Sequence, residues 1–177
     1  MKYARIERER RFLLATLPGG VDLAVGYRQL DDLYLDGTRL RLRSVTAPDG
    51  SILEQKLGQK RLAPSEAPGH RLITSVYLEP AEYALLARLP GWRLAKRRYD
   101  FPHAGQAFVI DVFLGALSGL LLAEIAFDSD AAERALALPR FAHCEVTALA
   151  QFAGGALATS EPGDVLREAR RLLGMVR

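Results

Sequence analysis

Cysteine, tryptophan and histidine are nearly missing from this chain: its 177 residues include one Cys, one Trp and three His. The lone Cys144 excludes an internal disulfide and any paired-thiol redox motif, and with His143 beside it the spacing is not that of a zinc site. Half-buried packing roles are expected for both. Long hydrophobic runs are lacking as well. The longest apolar stretch, Leu114 to Phe127, is broken by Gly115, Ser118, Gly119 and Glu124, so no membrane association is expected. Charges fill Lys2 to Arg11, and only Phe12 to Leu17 is apolar before Pro18-Gly19-Gly20, which argues against a signal peptide and for a cytoplasmic protein. Stacking aromatics are few and basic residues are interleaved with acidic ones, which argues against nucleic acid as a partner. No repeat, low-complexity tract or linker divides the chain, so one domain over 1–177 is expected. Its 24 basic against 21 acidic side chains leave a net charge of +3, a mild preference for anionic partners.

What is present is mostly short β-rich runs, at roughly 3–14, 26–34, 38–46, 51–58, 70–78, 93–100, 106–114 and 120–127. Asp36-Gly37, Pro48-Asp49-Gly50 and the segment from Gly115 to Gly119 supply turn chemistry between them. Three stretches have helical character. Glu79 to Leu86 carries Pro80 near its start, Ser129 to Arg134 opens on a capping serine and an acidic turn, and Asp164 to Met175 keeps its apolar residues on one face. This pattern predicts an α+β fold, an antiparallel sheet of eight strands able to close into a barrel, with flanking helices and the last of them at about 163–175.

Charge is distributed along these strands with a period of two. Glu7, Glu9 and Arg11 share one face of the first strand, and Arg39, Arg41 and Arg43 alternate with Leu40 and Leu42. Lys96 and Arg98 share another face, and Lys56 follows Glu54. Asp111 lies in Phe108 to Phe113, where both faces otherwise read as buried, and Glu124 is the one charge in Leu120 to Phe127. A lone buried carboxylate is costly, so each is either ion-paired or part of a site. Taken singly, every charged strand also fits the wet face of an antiparallel sheet. Closed with the charges inward, however, the sheet becomes a polar tunnel with basic walls and an acidic cluster. Guanidinium and ammonium groups match the oxygens of a polyanion, and carboxylates match a hard divalent cation such as Mg2+ or Mn2+. Together they suit a metal-bound phosphate chain.

These residues resemble the CYTH domains, or triphosphate tunnel metalloenzymes, over about residues 3 to 158. Glu7, Glu9 and Arg11 occupy a Glu-x-Glu-x-Lys signature before Phe12-Leu13-Leu14. Arg41-Leu42-Arg43 is similar to the family's Arg-x-Arg strand, Lys56 to the lysine of the next strand, and Lys96-Arg97-Arg98-Tyr99 to its Lys-x-Arg-Tyr element. Asp111-Val112-Phe113 with Gly115 and Gly119-Leu120 resembles an Asp-Val-Phe-x-Gly-x-x-x-Gly-Leu run, and Ala123-Glu124-Ile125 and Glu145-Val146-Thr147 resemble the last acidic elements.

The resemblance implies Mg2+- or Mn2+-dependent hydrolysis of inorganic triphosphate, or of an organic or nucleoside triphosphate, inside the tunnel. Under it, Arg41, Arg43, Lys56, Lys96 and Arg98 bind phosphates, and Glu7, Glu9, Asp111, Glu124 and Glu145 bind metal. Arg11 and Tyr34 take the places of a lysine and a tyrosine that assist proton removal in the family. Three departures stand out: Arg11 replaces the lysine, Ala126 stands where a second glutamate often follows Glu124, and Arg71 to Ser75 lacks a Glu-x-Glu. Arginine stays protonated, so Arg11 is expected to bind phosphate or depress the pKa of Tyr34 rather than act as a base. Two other functions remain open. One is a polyphosphate- or triphosphate-binding module with little or no hydrolysis. The other is a class IV-type adenylate cyclase, which would need a base-recognition pocket. The expected partner is a small-molecule triphosphate or polyphosphate, with the chain a monomer or homodimer. Tyr34 and Tyr99 also read as barrel-packing residues, and Lys60 and Arg71 as solvated.

Overall fold

The computed structural model describes residues 3–65 and 67–175. Eight long strands run β1 (Arg5–Leu13), β2 (Tyr27–Leu35), β3 (Leu40–Thr46), β4 (Ile52–Leu62), β5 (His70–Tyr77), β6 (Gly91–His103), β7 (Gln106–Phe113) and β8 (Leu121–Ala126). The order around the sheet is β5-β4-β3-β2-β6-β7-β8-β1, and β1 pairs back onto β5, which closes an antiparallel barrel. Closure removes the exposed sheet edges. A short ninth strand, β9 (Cys144–Glu145), extends the sheet beside the end of β1. The eight-stranded barrel is therefore as the sequence predicts.

β1 divides its partners along its length. Arg5 to Arg8 pair with β5, Glu9 to Leu13 pair with β8 on the other side, and Phe12 and Leu13 also meet β9. Hairpins follow the turn chemistry: Gly50, at φ 84°, lets the β3–β4 connection reverse, with its N–H donating to the Ala47 carbonyl at 2.9 Å.

Apolar residues wrap the barrel from outside and plug one end. Phe12, Tyr99, Phe108, Ile110 and Ile125 form one buried layer. The Tyr99 hydroxyl donates to the Leu23 carbonyl at 3.1 Å, a packing role. Leu33, Leu35 and Leu42 pack with Tyr83 and Leu86 of helix α1 (Pro80–Leu86). A third cluster joins Leu94, Phe113 and Leu122 to Phe152, to Leu157 of helix α3 (Gly154–Thr159) and to Val165 and Ala169 of helix α4 (Pro162–Leu172). Burying the wet-looking helix α4 along Val165 and Ala169 explains why Arg167 and Arg171 stay outside. Helix α2 (Asp130–Ala135) is capped by Ser129, whose hydroxyl accepts from the Ala132 N–H. Helix α3 has no counterpart among the three helical stretches expected from the sequence, and the two glycines at its start are poor helix formers. Among the described residues no helix is long and apolar enough to cross a membrane.

A charged tunnel as the candidate functional site

Inside the barrel the alternation leaves a cavity of about 450 Å³ walled by charge. One wall is acidic. Glu7, Glu9 and Arg11 project from β1, and Glu124 of β8 stands in register opposite Arg11. Arg11 Nε donates to Glu9 at 2.9 Å and lies 3.4 Å from Glu124, while Lys60 Nζ of β4 donates to Glu7. The facing wall is basic. Arg41 and Arg43 of β3, Lys56 of β4, and Lys96 and Arg98 of β6 all line the cavity.

Two buried aspartates hold parts of that wall. Asp111, 0% exposed, accepts Arg98 Nε at 2.7 Å and Arg98 Nη2 at 2.6 Å, and Lys96 Nζ as well. Asp32 of β2, 3% exposed, accepts Arg43 Nε at 2.6 Å and Nη2 at 2.7 Å. Strand register makes both forks, since Asp32 sits opposite Arg43 and Asp111 opposite Arg98. Arg98 also donates to Glu124. Arg41 is different: its Nε is buried without a hydrogen-bond partner and stands 3.6 Å from Asp32. Arg97 Nε is likewise buried without a partner but does not line the cavity; the unused donor of Arg41 lies in the cavity wall, where an anion could meet it.

Electrostatics follow from this crowding. Burial pushes the Glu9 carboxyl up, and nearby Glu124 adds to the rise against the opposing pull of Arg11 and Lys60. Burial also works to raise Glu124, but Lys96, Arg98 and Arg11 outweigh it and hold it well below the usual carboxylate range. Glu7 is lowered in the same way, with Lys60 overcoming its burial. Burial and then Asp32 push the Tyr34 phenol up to about 12. Glu7, Glu9 and Glu124 supply the oxygen donors that a hard divalent cation takes, but their carboxylates are held by Lys60, Arg11 and Arg98 and do not gather within 4.8 Å of one another, so a bound cation would have to draw them together.

Several sequence expectations need correction. Glu145 faces away from the tunnel: it sits opposite Phe12, whose side chain is on the barrel's outer face, and accepts both Nε at 2.9 Å and Nη2 at 2.6 Å of Arg10. It is a surface ion pair, not a partner of Glu7 and Glu9. Asp111 does not line the cavity; fully buried, it spends both oxygens on Lys96 and Arg98 and stands behind the wall. Arg11 does not depress Tyr34, because its guanidinium is taken up by Glu9 and Glu124 and the phenol rises instead. Cys144 is half-buried as expected, but His143 is exposed. Lys60 and Arg71, read as solvated, line the cavity. Asp32 escaped notice altogether; its signal was a carboxylate with the same strand parity as Tyr34 and Leu30. Outside the tunnel, ligand atoms of His70, Asp130 and Glu133 come within 4.8 Å of one another, but His70 Nε2 is bonded to Glu133 at 2.6 Å and Asp130 is paired with Arg8.

A closed barrel with guanidinium and ammonium groups on one wall and clustered glutamates on the other defines a tunnel protein for an anionic chain. No sequence-family profile matches the chain. It is 34% identical over 163 residues to the inorganic triphosphatase of Nitrosomonas europaea, covering 88% of this chain and 99% of that protein. It is also similar to two crystal structures of the protein NE1496. One has a TM-score of 0.60 at 30% identity, over 88% of this chain and 99% of the other. The second, described as an inorganic triphosphatase, has a TM-score of 0.59 at 28% identity, over 87% of this chain and 95% of the other. The chain belongs to the CYTH domain, or triphosphate tunnel metalloenzyme, family.

Proposed function

We propose that the chain is a divalent-metal-dependent triphosphatase that takes inorganic triphosphate, or a small organic triphosphate, into the barrel. The observation that carries this reading is the pairing of an unsatisfied buried donor on Arg41 with a glutamate cluster across the same cavity. Phosphoryl transfer asks for positioning and charge stabilisation more than for covalent help. Arg41, Arg43, Lys56, Lys96 and Arg98 would bind the phosphate oxygens, each through donors its carboxylate partner leaves over. Glu7, Glu9 and Glu124 would hold Mg2+ or Mn2+, which neutralises phosphate charge and polarises water when bound.

The remaining groups act by staying protonated. Tyr34, with its phenol at about 12, is a hydrogen-bond donor at neutral pH and suits a phosphate or leaving-group oxygen. Arg11 keeps its charge, and its salt bridges to Glu9 and Glu124 space the acidic wall. A second reading, phosphate-chain binding with little turnover, is favoured by the same Arg11 contacts and by the Arg71 to Ser75 segment, which brings Ile73, Thr74 and Ser75 to the cavity and no carboxylate.

The deciding measurement is phosphate release from tripolyphosphate with Mg2+, with Mn2+ and with chelator. Metal-dependent release supports the hydrolase. Tight tripolyphosphate binding without release under either metal would select the binding module, and pyrophosphate with a cyclic nucleotide from ATP would select a cyclase.

A further inference from the structure

Asp32 is a puzzle for any tunnel that admits phosphate. It puts a buried negative charge into the basic wall, where it repels the very ligand the wall attracts. It is also fully engaged: both oxygens grip Arg43. Arg41, at 3.6 Å, sits alongside without a hydrogen bond. Burial works to raise the Asp32 carboxyl, but Arg43 and then Arg41 overcome this, so it remains an anion. The Nε/Nη2 edge of Arg43 is thereby consumed, leaving the Nη1 hydrogens and one on Nη2 free to face the cavity. The matching fork of Asp111 takes the same edge of Arg98, whose Nη2 also donates to Glu124. The two forks lie on the contiguous strands β3-β2-β6-β7, so the guanidiniums are clamped at two fixed points along one wall.

We propose that Asp32 is a positioning residue: it clamps Arg43 and steadies Arg41 so that their remaining donors are aimed at the phosphate chain, and it gives up binding strength to do so. The inference rests on the triphosphatase reading. An unclamped arginine has three or more rotatable bonds and would still bind phosphate, with the chain seated in several registers. A clamped one binds less tightly and seats it in one. Positioning matters most at the reacting phosphorus, where small misplacements have large kinetic effects. Tyr34, two residues along the same strand face, feels the same charge.

The test compares Asp32→Asn, nearly isosteric and able to accept from one guanidinium N–H, with Asp32→Ser as a second neutral variant should the first fold poorly. Tripolyphosphate hydrolysis and calorimetric tripolyphosphate binding are measured on each, with thermal melting as the folding control. The expected result is a kcat lower by about tenfold to hundredfold, with tripolyphosphate bound as tightly as by the parent or more tightly. In an Arg43→Lys background, which cannot form the fork, Asp32→Asn should change kcat by less than about twofold, because residues acting through one contact are not additive. Parallel losses of melting temperature, affinity and kcat would overturn positioning in favour of a purely structural role, as would a kcat within about twofold of the parent in Asp32→Asn. Should the parent bind tripolyphosphate without hydrolysing it, the triphosphatase reading fails while this one is still judged, on affinity: weaker binding by Asp32→Asn would overturn it.

Discussion

Replacing Asp111 by Asn removes one negative charge from beneath two cations that are largely buried in the cavity wall. Asp111 is 0% exposed and receives three charged donors, two from Arg98 at 2.6 and 2.7 Å and one from Lys96. Breaking a buried ion pair by removing one partner costs about 3–5 kcal/mol, because the other charge is left uncompensated. Glu124 still accepts from Arg98 and lies 3.9 Å from Lys96, so the lower end of that range, about 3 kcal/mol, is the working figure. For a domain of this size each kcal/mol moves the melting temperature by about 2–4 °C. Asp111→Asn should therefore melt about 6–12 °C below the parent, read by circular dichroism or dye binding. Tripolyphosphate should raise the variant's melting temperature more than the parent's, since the ligand supplies the charge that Asp111 no longer does. A variant within about 2 °C of the parent, with an equal ligand response, would refute the reasoning: Glu124 alone would then balance the wall.

Other outcomes follow from the same geometry. Glu124 is held well below its ordinary 4.5 by Lys96, Arg98 and Arg11, so its contribution is present above pH 4.5 and lost as pH falls below it; in Glu124→Gln the acid-side decline in urea-measured stability should be shallower. Gly154→Ala would drive a Cβ into the Tyr34 hydroxyl, and the displaced phenol should lower kcat with little change in melting temperature. Glu145→Ala breaks only a partly exposed pair with Arg10 and should cost no more than about 1 kcal/mol, leaving the metal concentration for half-maximal activity unchanged.

The barrel was legible because each strand carries its own evidence. Alternation of charge and apolar residues around Arg41 and Arg43 marks both the strand and its inward face, and parity alone sets Glu7, Glu9 and Arg11 on one face. Turn residues then fix where strands end. Residues whose meaning depends on register were harder. Glu145 opens a strand-like Glu145-Val146-Thr147 run that does not tell which way it faces, and its pairing with Phe12 turns it outward. Asp32 looks like half of an Asp-Asp pair until β3 sets Arg43 opposite it. Lys60 and Arg71 read as solvated because nothing local says that β4 and β5 extend to the lip of the cavity. The raised pKa of Tyr34 likewise depends on its burial and on Asp32 beside it, which the sequence alone does not show.

The division of β1 between β5 and β8 has a consequence for how the protein comes into being. Its first half waits for residues near position 70 and its second half for residues beyond 120, so Glu7, Glu9 and Arg11 are synthesised early and completed late. Such long sequence separations slow folding, because loop entropy is lost before the contacts form. The basic strands β2 to β4 can assemble as hairpins well before that. The side of the tunnel where Glu124 stands opposite Arg11 is therefore complete only once β8 has been made and has paired with β1.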